Sequence, residues 1–115
     1  MQIKIKVTLV NEEREEFMGI GLVWLLRRID ETRSIRQAAV QMELSYVKAL
    51  RMVNRLEKNL GAPVLERQRG GNDRGGAELT AFGKRFLDQY DVKQQRIKAY
   101  AEKEYERFSK RKDGR

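Results

Sequence analysis

The sequence predicts a mainly α-helical fold with a small amount of β structure, and three observations predict it. Apolar residues recur at helical spacing from about Ile20 to Thr32, through Ser34–Leu60 and again from Thr80 to about Phe108. The strand signals are short: a period of two over residues 2–10, and a glycine-bracketed return between Pro63 and Leu79. Third, Ser34–Gly61 reads as two helices joined by a tight corner, the second N-capped and basic on its outer face. That arrangement is the sequence form of a helix-turn-helix.

At the N-terminus, Ile3, Ile5, Val7 and Leu9 alternate with Lys4, Lys6 and Thr8, which predicts a half-buried strand. Asn11–Glu16 is acidic and polar and reads as a turn, and Phe17 and Met18 as a short return strand, so 1–18 forms a strand or hairpin. Leu22, Val23, Leu25, Leu26 and Ile29 then mark a largely buried helix. Gly19 and Gly21 lack the third glycine and parallel unit of a dinucleotide fingerprint and read as helix entry.

Ser34 suits an N-cap, because its hydroxyl can accept from an unsatisfied amide of the first turn, and Ala38 and Ala39 permit close approach of another helix. The pattern breaks at Met42–Leu44, and Ser45 offers a second N-cap. Ala49, Val53, Leu56 and Leu60 follow as one apolar stripe, ended by Gly61 and Pro63. Turned away from the stripe are Tyr46, Val47, Lys48, Leu50, Arg51, Asn54, Arg55 and Lys58.

Beyond Gly61, Pro63–Leu65 and Ala77–Leu79 read as short strands around a glycine-rich tip that carries Arg74, a β-hairpin or wing. Residues 19–80 therefore form a winged helix-turn-helix. Thr80 caps a long last helix, with Phe82, Phe86, Tyr90, Ile97, Ala101 and Tyr105 at fours and sevens. Past Tyr90 this small chain offers that helix nothing to pack on, so residues 81–108 are expected to dimerise, with Leu22, Phe86, Tyr90, Ile97 and Ala101 at the interface. Residues 109–115 read as a disordered basic tail.

Composition narrows the partner. A net charge of +8 on 115 residues and a pI near 10.0 point to an anionic partner. No apolar run approaches the roughly 18 residues of a membrane span, and the N-terminus does not read as a signal peptide. Cysteine is absent, which points to the cytosol, and histidine is absent, which removes the commonest general base and metal ligand. No cofactor motif and no cluster of nucleophile, base and orienting group is visible, so an enzyme is not expected.

These residues resemble two related families of regulators. Arg55-Leu56-Glu57-Lys58-Asn59-Leu60-Gly61-Ala62-Pro63-Val64-Leu65-Glu66-Arg67 is similar to the helix end and wing start of LysR-type DNA-binding domains. The fuller resemblance, over residues 17–92, is to the N-terminal domain of the molybdate-responsive ModE family. Ile29-Asp30-Glu31-Thr32, Ser34-Ile35, Ala38-Ala39, Met42-Glu43-Leu44-Ser45-Tyr46 and Leu79-Thr80-Ala81-Phe82-Gly83 carry it. Where that family often has a basic residue and a Trp, this chain has Val47 and Leu50, so the family's base preference does not carry over. The chain is too short to hold the ModE ligand module after this domain, so the resemblance implies a stand-alone member with no molybdate site of that kind.

The expected function is sequence-specific binding of double-stranded DNA by a transcriptional regulator, as a homodimer on an inverted repeat. Base contacts are expected from Ser45, Tyr46, Val47, Lys48, Leu50 and Arg51, with Arg51 suited to guanine O6 and N7. Backbone contacts are expected from Ser34, Arg36, Arg55, Arg67, Arg69 and Arg74, although Arg67 has a competing role in pairing with a carboxylate to pin the wing. The alternatives are a protein–protein adaptor, in which the charge serves solubility, and an RNA-binding winged helix.

Overall fold

The computed structural model describes residues 2–68 and 76–114, with 111–114 described by their helical backbone alone. In chain order the elements are β1 (Leu9–Val10), β2 (Glu16–Met18), α1 (Ile20–Thr32), α2 (Ile35–Gln41), α3 (Tyr46–Leu60), β3 (Leu65–Arg67), β4 (Ala77–Leu79) and α4 (Ala81–Gly114). The glycine-rich tip, with Arg69 and Arg74, lies outside the described residues.

The alternation at the N-terminus survives as burial, since Ile3, Ile5, Val7 and Leu9 are half-buried and Lys4, Lys6 and Thr8 exposed. Only Leu9–Val10 forms a strand, shorter than the sequence predicts. A strand needs a ladder partner, and β2 is short; Leu9 faces Met18 and Val10 faces Glu16, with a register shift between them. Asn11 builds the turn, its Oδ1 accepting from the Glu13 and Glu15 amides, each at 2.9 Å.

α1 is the central helix, its Leu22, Val23, Leu25, Leu26 and Ile29 all buried. It ends at Arg33, which adopts a left-handed conformation at φ 60° and returns its N–H to the Ile29 carbonyl. The same turn binds the wing. Asp30 Oδ1 accepts from the Leu79 amide at 3.2 Å, and the Arg33 carbonyl from the Ala77 amide at 3.0 Å. β3 and β4 are antiparallel, Leu65 opposite Leu79 and Arg67 opposite Ala77, so Leu65, Ala77 and Leu79 close the core from the wing side.

Thr80 fixes the start of α4 as its composition predicts: its hydroxyl accepts from the Gly83 amide and donates to the Pro63 carbonyl, both at 2.9 Å. Glycine is required at position 83, because a Cβ there would lie 2.4 Å from the Val64 carbonyl oxygen. α4 then packs Leu87, Tyr90 and Gln94 into the body, with the Tyr90 hydroxyl donating to the Val7 carbonyl. Gln94, which interrupts the apolar pattern, is buried with its amide donated to Asp91 Oδ1 at 2.8 Å.

Two expectations need correction. The helix does not stop near Phe108 but continues to Gly114, where the sequence predicts a disordered tail. Ser109–Lys112 contains no breaker, and extending an existing helix is far easier than nucleating one. Leu22 and Tyr90, assigned above to a dimer interface, are each only 6% exposed and spend their apolar surface on this chain's own core.

Candidate nucleic-acid interface

The ridge formed by α3 is built from its two ends inward. At the N-terminus Ser45 is extended, and its Oγ accepts from the Lys48 amide at 3.0 Å. At the C-terminus Gly61 takes the left-handed conformation, φ 73°, which releases a glycine from the steric penalty other residues meet there. Between them Ala49, Val53 and Leu56 are buried against the body. At about 100° per residue, Arg51 and Lys58 lie about 160° or more from that stripe. Val47, Lys48, Arg51, Asn54, Arg55 and Lys58 are accordingly exposed.

Two residues of that predicted face differ. Leu50 sits at the edge of the stripe and is half-buried against the core, so it is not an outer-face residue. Tyr46 is angled only about 60° from Ala49, and its ring turns toward α2 instead of straight outward. There the Arg36 guanidinium carbon stands 4.4 Å above the ring centroid.

α2 is placed by the Ser34 cap, whose Oγ accepts from the Gln37 amide at 3.0 Å. Both cap hydroxyls keep an O–H free to donate outward. The corner between α2 and α3 turns on Glu43, left-handed at φ 57°, while Leu44 N–H reaches the Ala39 carbonyl at 2.9 Å. Ala38 and Ala39 are buried where the two helices approach.

Arg67 takes the competing role. Its guanidinium donates to Asn54 Oδ1 at 3.1 Å and stands 3.6 Å from Glu57 Oε1. Glu57, given no role by the sequence reading, is the hub of this joint. Its Oε2 accepts from the Val64 and Leu65 amides at 2.9 and 3.1 Å, which ties the end of α3 to the wing strand. The signal was present as the only carboxylate of α3, placed beside the buried Leu56.

Lys48, Arg51, Arg55 and Lys58 thus project from one convex helix whose sole acid is turned to the wing. Such a ridge can donate hydrogen bonds and carry positive charge into a groove; it encloses no reactive group. Among the described residues, no group of three or more His, Cys, Asp or Glu could hold a metal ion, and no helix is long and apolar enough to cross a membrane.

Comparison with known proteins bears on this ridge. Residues 22–84 match the family of bacterial regulatory helix-turn-helix proteins described as the lysR family. The transcriptional regulator ModE of Haemophilus influenzae is 37% identical over 76 residues, 66% of this chain and 30% of that protein. The DNA-binding transcriptional dual regulator ModE of Escherichia coli K12 is 33% identical over 92 residues, 80% of this chain and 35% of that protein. The chain thus spans about a third of the length of the curated relatives it matches. Among solved structures, the CbnR_DBD–DNA complex is similar with a TM-score of 0.54 and 28% identity, over 85% of this chain and all of that one. Full-length CbnR complexed with its target DNA gives 0.54 and 27%, over 80% of this chain and 29% of that one.

Proposed function

Because the chain belongs to the lysR family of bacterial regulatory helix-turn-helix proteins, we propose that it is a sequence-specific double-stranded-DNA-binding transcriptional regulator whose α3 enters the major groove. One observation carries the reading: Val47 and Arg51 stand exposed on α3 opposite the stripe that anchors the helix in the body, with Lys48 and Arg55 exposed on one flank. Ser45, Tyr46, Val47, Lys48 and Arg51 lie toward the N-terminal part of α3, the part of a recognition helix that reads base edges. Arg51 is assigned to guanine, because its fork matches O6 and N7. Ser34, Arg36 and Arg55 are assigned to the sugar-phosphate backbone, with the α2 macrodipole favouring a phosphate at Ser34.

The DNA-bound form is a homodimer on an inverted repeat. Ile97 is 48% exposed, and Ala101 follows it on the same face of α4, with Phe86 half-buried nearer the body. A two-fold pair brings two copies of α3 about one duplex turn apart.

Selection from random duplex DNA with the intact chain tests this. The expected product is an inverted repeat whose affinity falls about four decades between 50 and 200 mM salt, as for neutralisation of about eight phosphates. Arg51→Ala should relax preference at one position of each half-site at a cost of about 1–3 kcal/mol. Enrichment of no sequence, or equal competition by duplex RNA, ends the proposal.

A further inference from the structure

α2 opens with a residue that its own helix does not favour. Arg36 lies in the first turn, where the macrodipole repels a cation, and no acidic residue accompanies it there. It is exposed, and none of the ion pairs found among the described residues involves it. What holds it is Tyr46, the first residue of α3, over whose ring the guanidinium stacks at 4.4 Å. Tyr46 is 36% exposed, so the stack stands at the surface, beside Ser45 and one turn before Leu50 and Arg51.

We propose that Arg36 and Tyr46 form one composite phosphate-binding element that bridges the two helices of the motif. The aromatic face fixes the plane of the guanidinium before the duplex arrives. Its N–H edge is thereby aimed at one phosphate oxygen, at the end of the half-site nearest the α3 N-terminus. Arg36 is then more than a diffuse charge, and the Tyr46 ring acts through it as a positioning group. A guanidinium held flat loses less side-chain freedom on contact than a free one, and lysine, lacking the planar fork, cannot substitute for it. The inference rests on the DNA-binding reading above and deepens it.

The test uses the intact chain and the duplex that the wild type selects from random DNA. Affinity, salt slope and base preference are measured for Arg36→Lys, Arg36→Ala, Tyr46→Phe, Tyr46→Ala and the double alanine variant. Tyr46→Phe keeps the ring and should bind within about twofold of wild type. Arg36→Lys keeps the charge, so its salt slope should stay unchanged, yet it should lose about fivefold in affinity for every sequence alike. Each alanine variant should lose about tenfold, and the double variant no more than the weaker single, because the two side chains act as one unit. Wild-type affinity in Arg36→Lys, or losses that multiply in the double variant, overturns the composite element while leaving DNA binding intact. A wild type that enriches no duplex removes the underlying reading, and the composite element with it. Both sites are on the surface, and the conservative pair, Lys and Phe, keeps the test decisive if an alanine variant folds poorly.

Discussion

In the first half of α4, Leu87, Tyr90 and Gln94 are buried against the body; in the second half, Ile97, Ala101, Tyr105 and Phe108 continue the same face. There Ile97, Tyr105 and Phe108 are 48%, 45% and 56% exposed, with Tyr105 and Phe108 packed edge to face at 6.2 Å. The spacing is the same in both halves and the outcome opposite. The first half meets α1, the wing base and Val7; the second runs past α1 and the wing, flanked by residues 2–5 beside Lys98, Glu102 and Tyr105, an extension that makes the molecule 69 Å long. An apolar period therefore identifies a face that seeks cover, and the rest of the fold decides whether this chain supplies it. An uncovered stripe of this kind is what a subunit contact requires.

The sharpest way to break the contrast is at the start of the helix. Gly83→Ala would ordinarily favour a helix by about 1 kcal/mol. Here the added Cβ would meet the Val64 carbonyl at 2.4 Å. We expect the sign to reverse, with a loss of about 3 kcal/mol or more in chemical denaturation; a stabilised variant would mean that α4 does not seat on Val64. Leu87→Ala, at a residue 2% exposed, should cost about 2–4 kcal/mol through lost burial and a residual cavity, read by the same measurement.

In the second half, the paired change Ile97→Glu and Phe108→Glu should leave the stability of the monomer within about 0.5 kcal/mol. The same pair should weaken self-association about tenfold or more in sedimentation equilibrium. Loss of the monomer fold would show instead that the distal stripe is covered within the chain.

The smallest effect belongs to the boundary between the halves. Asp91 is held below the ordinary carboxylate value of 3.8, first by the hydrogen bond from Gln94 and next by Arg27, whose guanidinium donates to it at 2.7 Å. A depressed folded value stabilises the fold above the unfolded pKa, and that contribution is lost as pH falls through the folded one. Asp91→Asn should therefore cost about 0.5–1 kcal/mol at neutral pH, and the difference from wild type should shrink on acidification below the unfolded value. A gap that persists in strong acid would assign the loss to packing. Beside it, burial first and the Asp91 charge second raise the Tyr90 phenol above 10.0, so that hydroxyl remains a donor to the Val7 carbonyl at neutral pH.

Much of the fold was legible because its signals are local. Ser34, Ser45 and Thr80 cap the helices their side-chain chemistry suits, and Gly61 ends α3 in the conformation that favours glycine. The bounds of α1 follow from its apolar positions alone. The candidate interface was less legible. Leu50 and Tyr46 share the exposed stretch with Arg51, yet one turns to the core and the other to Arg36, ten positions earlier in the chain. Helical angle separates them from Arg51, but the partner of each is set by how α2 crosses α3. Arg67 likewise looks like any basic wing residue until Asn54 and Glu57 are brought beside it.

By itself the sequence determined where the helices begin and end, which of their faces are apolar, and that the charge is strongly positive, because caps, periods and composition act over a few residues. Only the tertiary structure decided which arginines are tied and which stand clear, and which part of the α4 stripe is already covered. Those outcomes depend on contacts between segments distant in the chain, such as Arg27 with Asp91 or Tyr90 with Val7, and no local spacing encodes a contact of that kind.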